Sequence, residues 1–302
     1  RKLTKLRKNL IKFFIEKNID FFIGIDSPDF NMGIHKSLKN FHSNKNIQLV
    51  SPSVWGWRQN RIKAIQANID LTLCLFNFED NYYKKVGHKS MHVGHPFSDL
   101  YKEDYQEVVN KYDLNKAKRF ISVLPGSRKS EVKNMLPTFI EFIKAHSINN
   151  KDYFYLLPVA DNELLPLINQ SFQGLDLPIL IRKNAMKDFL SVSELSIATS
   201  GTATLESAIL ECAPVICYKT NFLNYSIISR MLKIENIGLP NLLLSKRYYK
   251  ELLQKDFNKE NILKSVAETT DLISESFDNA NTLRNMLKGS GYYEATKSIS
   301  SL

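Results

Sequence analysis

Short apolar runs alternate with segments of helical periodicity along most of the chain. "DFFIGI" (20–25) and "NIQLV" (46–50) read as buried strands, "NRIKAIQANI" (60–69) as a helix and "LTLCLF" (71–76) as a strand. "EDNYYKKVG" (79–87) follows as a short helix ahead of the strand "SMHVG" (90–94). A charged and polar stretch at 95–119 then breaks the pattern. It resumes with "FISVLPG", the helix "SEVKNMLPTFIEFIKAH" and the strands "YFYLLPV", "LPILI", "LSIAT" and "PVICY". Such alternation predicts parallel α/β organisation. The break divides it into a domain over 1–108, joined by a C-terminal helix at 282–302, and a second domain over 109–281. In doubly wound sheets ligands bind beyond the C-terminal ends of the strands, so candidate chemistry is sought there.

Composition narrows the class. With 302 residues, 43% of them hydrophobic, the chain can fill two cores, and single cores stop growing at about 250–300 residues. No run approaches the roughly 18 apolar residues of a spanning helix, and the first residues do not spell a secretory signal. Cys74, Cys212 and Cys217 have no metal-ligand spacing and are expected to be reduced and buried, in a cytosolic-type compartment. The sequence opens at Arg1 inside what reads as a helix, and is expected to be an incomplete or processed chain.

A net charge of +10 suits nucleic acid, anionic lipid or phosphorylated small molecules equally. The Lys and Arg are scattered and no RNA- or DNA-binding motif occurs, which leaves a nucleic-acid module unsupported. In "RKLTKLRKNLIKFF" six of the first twelve residues are basic, and Leu3, Leu6, Leu10 and Phe13 recur at helical spacing. This predicts an amphipathic helix with a basic face. It suits either a solvated surface or an anionic membrane, where each basic residue near the surface contributes about 1 kcal/mol.

Four clusters fall at predicted strand ends. In "IGIDSPDFN", Asp26 directly follows a strand, while Ser27 and Pro28 spell a helix start that Asp29 would complement. A capping role and a ligand role are both open here. "SPSVWGWRQNR" holds Trp55 and Trp57, followed by Arg58 and Arg61; core packing at a cleft fits one aromatic pair better than base stacking does. In "LPGSRKSE", Gly126 permits close backbone approach, the amides of Ser127 and Arg128 open a helix, and Arg128 can fork two hydrogen bonds onto a phosphate. No G-x-x-x-x-G-K-[ST] is present, so a Walker-type ATPase is unsupported. In "IATSGTATLESAILECAPVICY", Ser200, Gly201 and Thr202 again offer amides at a helix start. With Thr202 as cap, Glu206 falls one residue beyond the capping-box position and is placed to accept from a ribose diol. The helix buries Leu205, Ile209 and Cys212, and Pro214 closes it. Two anion-type turns and an acid in one half suggest a nucleotide diphosphate.

Taken in order, "GIDSPDFN", "SPSVWGWRQNR", "VGHPFSD", "LPGSRKSEV", "SGTATLE" and "LPNLL" resemble the lipid-A-disaccharide synthases, glycosyltransferase family 19, over residues 22–244 or so. The resemblance implies a GT-B fold of two Rossmann-like doubly wound domains facing a cleft. It implies an inverting enzyme that joins UDP-2,3-diacylglucosamine to 2,3-diacylglucosamine 1-phosphate and releases UDP, with no metal or cofactor. Asp26 then matches the general base and Arg128 the essential arginine on the leaving diphosphate. Ser127, Ser200, Gly201, Thr202 and Glu206 match the UDP-binding turns, and Asn241 a polar residue near the donor. A cytoplasmic protein held peripherally at the anionic surface of the inner membrane, and able to form a homodimer, is also expected. Two departures stand out: the family's first glycine-rich loop is missing, and Lys219 replaces an arginine, keeping charge but losing the bidentate fork. Other GT-B proteins, such as UDP-sugar 2-epimerases or the undecaprenyl-linked N-acetylglucosaminyltransferase, are not expected to carry "SPSVWGWRQ".

Overall fold

The structure is a computed structural model and describes residues 2–41, 44–52, 54, 61–219, 236–270 and 273–302. Trp55, Trp57 and Arg58 lie outside the described residues. The chain divides into two compact units.

The first unit takes described residues 2–98 and 286–302. Its strands β1 (Phe21–Ile25), β2 (Lys45–Leu49), β3 (Leu71–Cys74) and β4 (Ser90–His92) form a parallel sheet in that order. Helices α1 (Lys2–Glu16), α2 (Pro28–Phe41), α3 (Ile62–Asn68) and α4 (Asn77–Lys85) alternate with them. Central β3 is buried throughout, as a parallel strand covered on both faces should be. Edge strand β1 is not: Phe22 is packed while Phe21, Ile23 and Ile25 are exposed, so the uniform burial read from "DFFIGI" gives way to alternation.

Helix α1 meets the sheet through a different stripe from the one its leucines suggest. Leu10, Ile11, Phe14 and Ile15 pack on Phe22, Ile34 and Leu38. Leu3, Leu6 and Phe13 stay exposed. The C-terminal segment belongs to this unit as well: Gly289 and Gly94 approach so closely that a Cβ on either would overlap the other's backbone.

The second unit takes described residues 99–219 and 236–285. The polar stretch read as a divider carries a helix of its own, α5 (Tyr105–Tyr112), capped by Asp104. Its Val108 and Val109 pack with Phe120, Leu156 and Phe189. Strands β5 (Arg119–Leu124), β6 (Tyr153–Val159), β7 (Ile179–Lys183), β8 (Leu195–Thr199), β9 (Ala213–Tyr218) and β10 (Glu251–Leu253) make one parallel sheet, in spatial order β10-β9-β8-β5-β6-β7. The chain winds outward from β5 to β7, then returns to lay β8 against β5 and winds the other way. The strand order therefore reverses between β5 and β8, where open α/β sheets place their ligands.

Helices α6 (Lys129–Asn149), α7 (Leu165–Phe172), α8 (Met186–Val192) and α9 (Thr202–Ile209) alternate with the strands from β5 to β9. In α6 (Lys129–Asn149), Val132, Met135, Leu136, Phe139, Ile140 and Ile143 recur at three- and four-residue spacing on the buried side. Helix α9 (Thr202–Ile209) buries Leu205 and Ile209. It stops before Pro214, because Glu211 turns the chain in the left-handed conformation and Pro214 is already in β9. All three cysteines are buried free thiols, and burial pushes Cys212 up to about 12.

Candidate active site

After β5 the chain turns at Pro125–Gly126 into α6. Gly126 has φ +111°, and a Cβ there would lie 2.7 Å from Glu131 Cβ and 2.8 Å from Glu131 Oε2. The bare backbone lets Glu131 fold back over the turn. Its Oε2 accepts from the Ser127 amide at 3.1 Å and the Arg128 amide at 3.2 Å, and its Oε1 accepts from Arg128 Nη1 at 2.7 Å. This is a capping acid in the first helical turn, placed where the helix dipole favours it.

The expected role of this turn changes accordingly. The amides foreseen as phosphate donors already hold an anion, the carboxylate of Glu131. The Arg128 side chain is what remains, and it is 79% exposed. An ion pair at that exposure is worth about 0–1 kcal/mol. Charge-assisted hydrogen bonds to an anionic ligand are worth about 1.5–3 kcal/mol each. Arg128 can therefore reorient toward a phosphate at small cost.

The turn after β8 is open. Gly201, rather than Thr202, is the N-cap of α9, and no side chain caps the helix. Thr204 bonds its own turn, its hydroxyl donating to the Gly201 carbonyl at 2.8 Å. The first-turn amides at Thr202 and Ala203 are thus uncapped, in the place where a helix favours an anion. Of the two turns that look alike in sequence, one is closed by its own acid and the other is open.

Both turns and Glu206 share one cleft of about 590 Å3, with Asn184, Lys187 and Thr199 also in its lining. Burial raises the Glu206 carboxyl above its ordinary range. Thr199 is 4% exposed and its hydroxyl has no hydrogen-bond partner. Buried hydroxyls are nearly always bonded, so an orphan in the lining of a cleft marks a place for a ligand atom. Neither Thr199 nor Lys187 stood out in sequence, since a threonine ending a strand and a lysine in a helix are commonplace. The Glu131 cap was not foreseen either, although an acid three residues after Arg128 is a signal that could have found it.

Asn241 sits elsewhere. It is fully buried in α10 (Leu239–Leu244). Its Nδ2 donates to Tyr249 O and Glu251 Oε1, both at 2.8 Å, and its Oδ1 accepts from the amides of Tyr248 and Tyr249 at 3.0 and 2.9 Å. Those four bonds use its whole hydrogen-bonding capacity, and it does not line the cleft. Glu251 in turn accepts from the Ile237 and Gly238 amides, both at 3.0 Å. The Ser200 hydroxyl reaches Ile237 O at 3.5 Å. Among the described residues, one route of hydrogen bonds from Asn241 to the cleft runs through Glu251 and the 237–238 backbone to Ser200.

Asp26 belongs to the first unit, at the C-terminal end of β1, and is exposed with φ 49°. The neighbouring helix start uses the Ser27 carbonyl, which accepts from the Phe30 and Asn31 amides, and Asp29 pairs with Arg61. Asp29 is the acid in the first turn of this helix, and Asp26 lies outside it. Among the described residues no group of three or more His, Cys, Asp or Glu is arranged to hold a metal ion.

The described backbone superposes on a UDP-GlcNAc 2-epimerase from Neisseria meningitidis bound to UDP-GlcNAc, with a TM-score of 0.58 at 9% identity, over 99% of this chain and 81% of that one. Two parallel α/β units with this likeness define a GT-B protein, the fold shared by many glycosyltransferases and sugar-nucleotide epimerases. Sequence comparison is more specific. The chain is 36% identical over 275 residues to the lipid-A-disaccharide synthase of Acinetobacter baylyi, covering 87% of this chain and 69% of the relative. It is 36% identical over 272 residues to that of Colwellia psychrerythraea, covering 89% and 69%. The lipid-A-disaccharide synthetase family model matches residues 1–293, and the chain belongs to that family. It is a glycosyltransferase of lipid A biosynthesis.

Proposed function

We propose that the protein transfers the diacylglucosaminyl group of UDP-2,3-diacylglucosamine to the 6-hydroxyl of 2,3-diacylglucosamine 1-phosphate, with inversion. The second unit takes the donor. The uncapped amides of α9 and the Arg128 guanidinium hold the diphosphate, and Glu206 accepts from the ribose hydroxyls. Asp26, on the first unit, takes the proton of the acceptor hydroxyl as its oxygen attacks the anomeric carbon from the face opposite UDP. One base on the acceptor and charge stabilisation on the leaving group are what such a displacement requires. The observation that carries this reading is the cleft at the strand reversal. It combines open amides, an exposed arginine, an orphan hydroxyl and a half-buried acid in one place.

Given both substrates, the protein should yield UDP and a β-1′,6-linked disaccharide 1-phosphate, identified by mass spectrometry and anomeric coupling. Epimerised UDP-sugar without disaccharide would assign the cleft to the other chemistry of this fold. Acyl substrates also require access to lipid. We assign that contact to α1, whose Leu3, Leu6 and Phe13 are exposed beside Lys2, Lys5 and Lys12. Co-sedimentation with anionic vesicles but not neutral ones is the expected result, and indifference to lipid charge contradicts it.

A further inference from the structure

Three polar side chains converge where Gly24, in β1, has none. A Cβ on Gly24 would lie 2.8 Å from Gln48 Oε1, 2.9 Å from His35 Nε2 and 3.0 Å from Asn31 Cγ. His35 and Gln48 are almost wholly buried and Asn31 nearly so. Polar groups at such depth are there to satisfy others, and these satisfy the backbone on either side of Asp26. Gln48 Nε2 donates to Asp26 O at 3.0 Å, Leu49 O at 3.1 Å and Val50 O at 3.3 Å. Asn31 Nδ2 donates to Asp26 O at 2.7 Å and Ile25 O at 3.3 Å. His35 Nε2 lies 3.1 Å from Gln48 Oε1. With its proton on Nε2, the imidazole fixes the amide so that its nitrogen faces the carbonyls; His35 Nδ1 then has no partner. The Asp26 amide closes the set by donating to Leu49 O at 2.9 Å.

The backbone held in this way is one that side chains resist. Asp26, Ser27 and Val50 all have positive φ, at 49°, 38° and 68°. For a β-branched residue such as Val50 this is a marked outlier. Strain of this kind persists only where surrounding bonds over-determine it, and it gathers at functional sites. A relaxed residue 26 would carry its carboxylate off in another direction.

We propose that Gln48, oriented by His35 and seconded by Asn31, is a positioning residue for Asp26. It holds the left-handed backbone from which the carboxylate meets the acceptor hydroxyl. This rests on the reading of Asp26 as general base. Gln48→Met keeps the side chain's length and removes its hydrogen bonds. Misplacing a reacting group by about 1 Å costs on the order of 100-fold in rate. In the full chain, kcat per folded molecule should fall by about 10–100-fold, with KM for both substrates and the affinity for UDP unchanged. Because Gln48 acts through Asp26, adding Gln48→Met to Asp26→Ala should not lower the residual rate further. Wild-type kcat in Gln48→Met, or losses that multiply in the double variant, would overturn the proposal. An active Asp26→Ala enzyme would instead remove the base assignment itself. If Gln48→Met does not fold, Asn31→Ala, which leaves Gln48 in place, is read against the same outcomes.

Discussion

Replacing Glu131 by alanine separates the two anion turns. In the wild type, Glu131 caps the amides of Ser127 and Arg128 and pairs with the arginine side chain. Losing a helix cap costs about 0.5–2 kcal/mol, and the exposed pair adds about 0–1 kcal/mol. A loss of about 0.5–3 kcal/mol follows, and at about 2–4 °C per kcal/mol for a unit of this size the melting temperature should fall by about 1–12 °C. Binding should move the other way. The freed amides and guanidinium become available to a diphosphate, and a term of about 1 kcal/mol corresponds to roughly five-fold tighter UDP. Scanning calorimetry and UDP titration on the same preparation read both numbers. Glu131→Gln should lose less stability, since an amide oxygen can still cap, while the repulsion between the carboxylate and the ligand disappears. Weaker UDP binding in Glu131→Ala would refute the reasoning. Glu131 would then be organising Arg128 for the ligand instead of occupying the ligand's donors.

Three more outcomes follow from the same cleft and its supports. Burial raises the Glu206 carboxyl in the folded protein, so its ionised form is the disfavoured one and loses ground first as pH falls. If the carboxylate accepts from ribose, UDP affinity should start to drop above the ordinary glutamate range as pH falls; Glu206→Gln should bind more weakly at neutral pH and lose that slope, as titration calorimetry at several pH values will register. Thr199→Val removes a buried hydroxyl that has no partner; an unsatisfied group costs about 1–3 kcal/mol, so the variant should melt at or above the wild type while binding UDP several-fold more weakly. Asn241→Ala leaves the Tyr249 carbonyl and the Tyr248 and Tyr249 amides without their partner; a loss of about 3 kcal/mol by denaturant titration is expected, and a variant as stable as the wild type contradicts the packing described.

The parts of the molecule that were legible in sequence are those where a local pattern has one physical solution. Apolar runs such as "LSIAT" became strands at their quoted positions, here β8, because a strand covered on both faces has little other way to bury five residues. The turn after β8 was legible as a strand end opening a helix for the same reason, since "SGT" leads directly into α9. The turn after β5 holds more than its spelling shows, since "PGSR" and "SGTA" differ in what their third helical residue does, and Glu131 reaches back to the amides only in the folded chain. Asn241 was placed near the donor only by the resemblance of "LPNLL" to the family, and its spelling does not show what it bonds. Its partners Tyr248, Tyr249 and Glu251 come from a later segment that no short window joins to it. Helix α5 was hidden because most of its residues are polar, and only Val108 and Val109 are buried. The Gln48 cluster had no sequence signal at all, since a glutamine inside an apolar strand reads as noise until its three carbonyl partners are in place.

In the proposed reaction the base is Asp26 and the grip on the leaving group is Arg128. Its most direct test measures turnover and UDP affinity together in Asp26→Ala and Arg128→Ala. Asp26→Ala should lose product formation while binding UDP as tightly as the wild type. Arg128→Ala should lose both, at little cost in melting temperature because its ion pair is exposed. Wild-type turnover in Asp26→Ala, or wild-type UDP affinity in Arg128→Ala, would contradict the account.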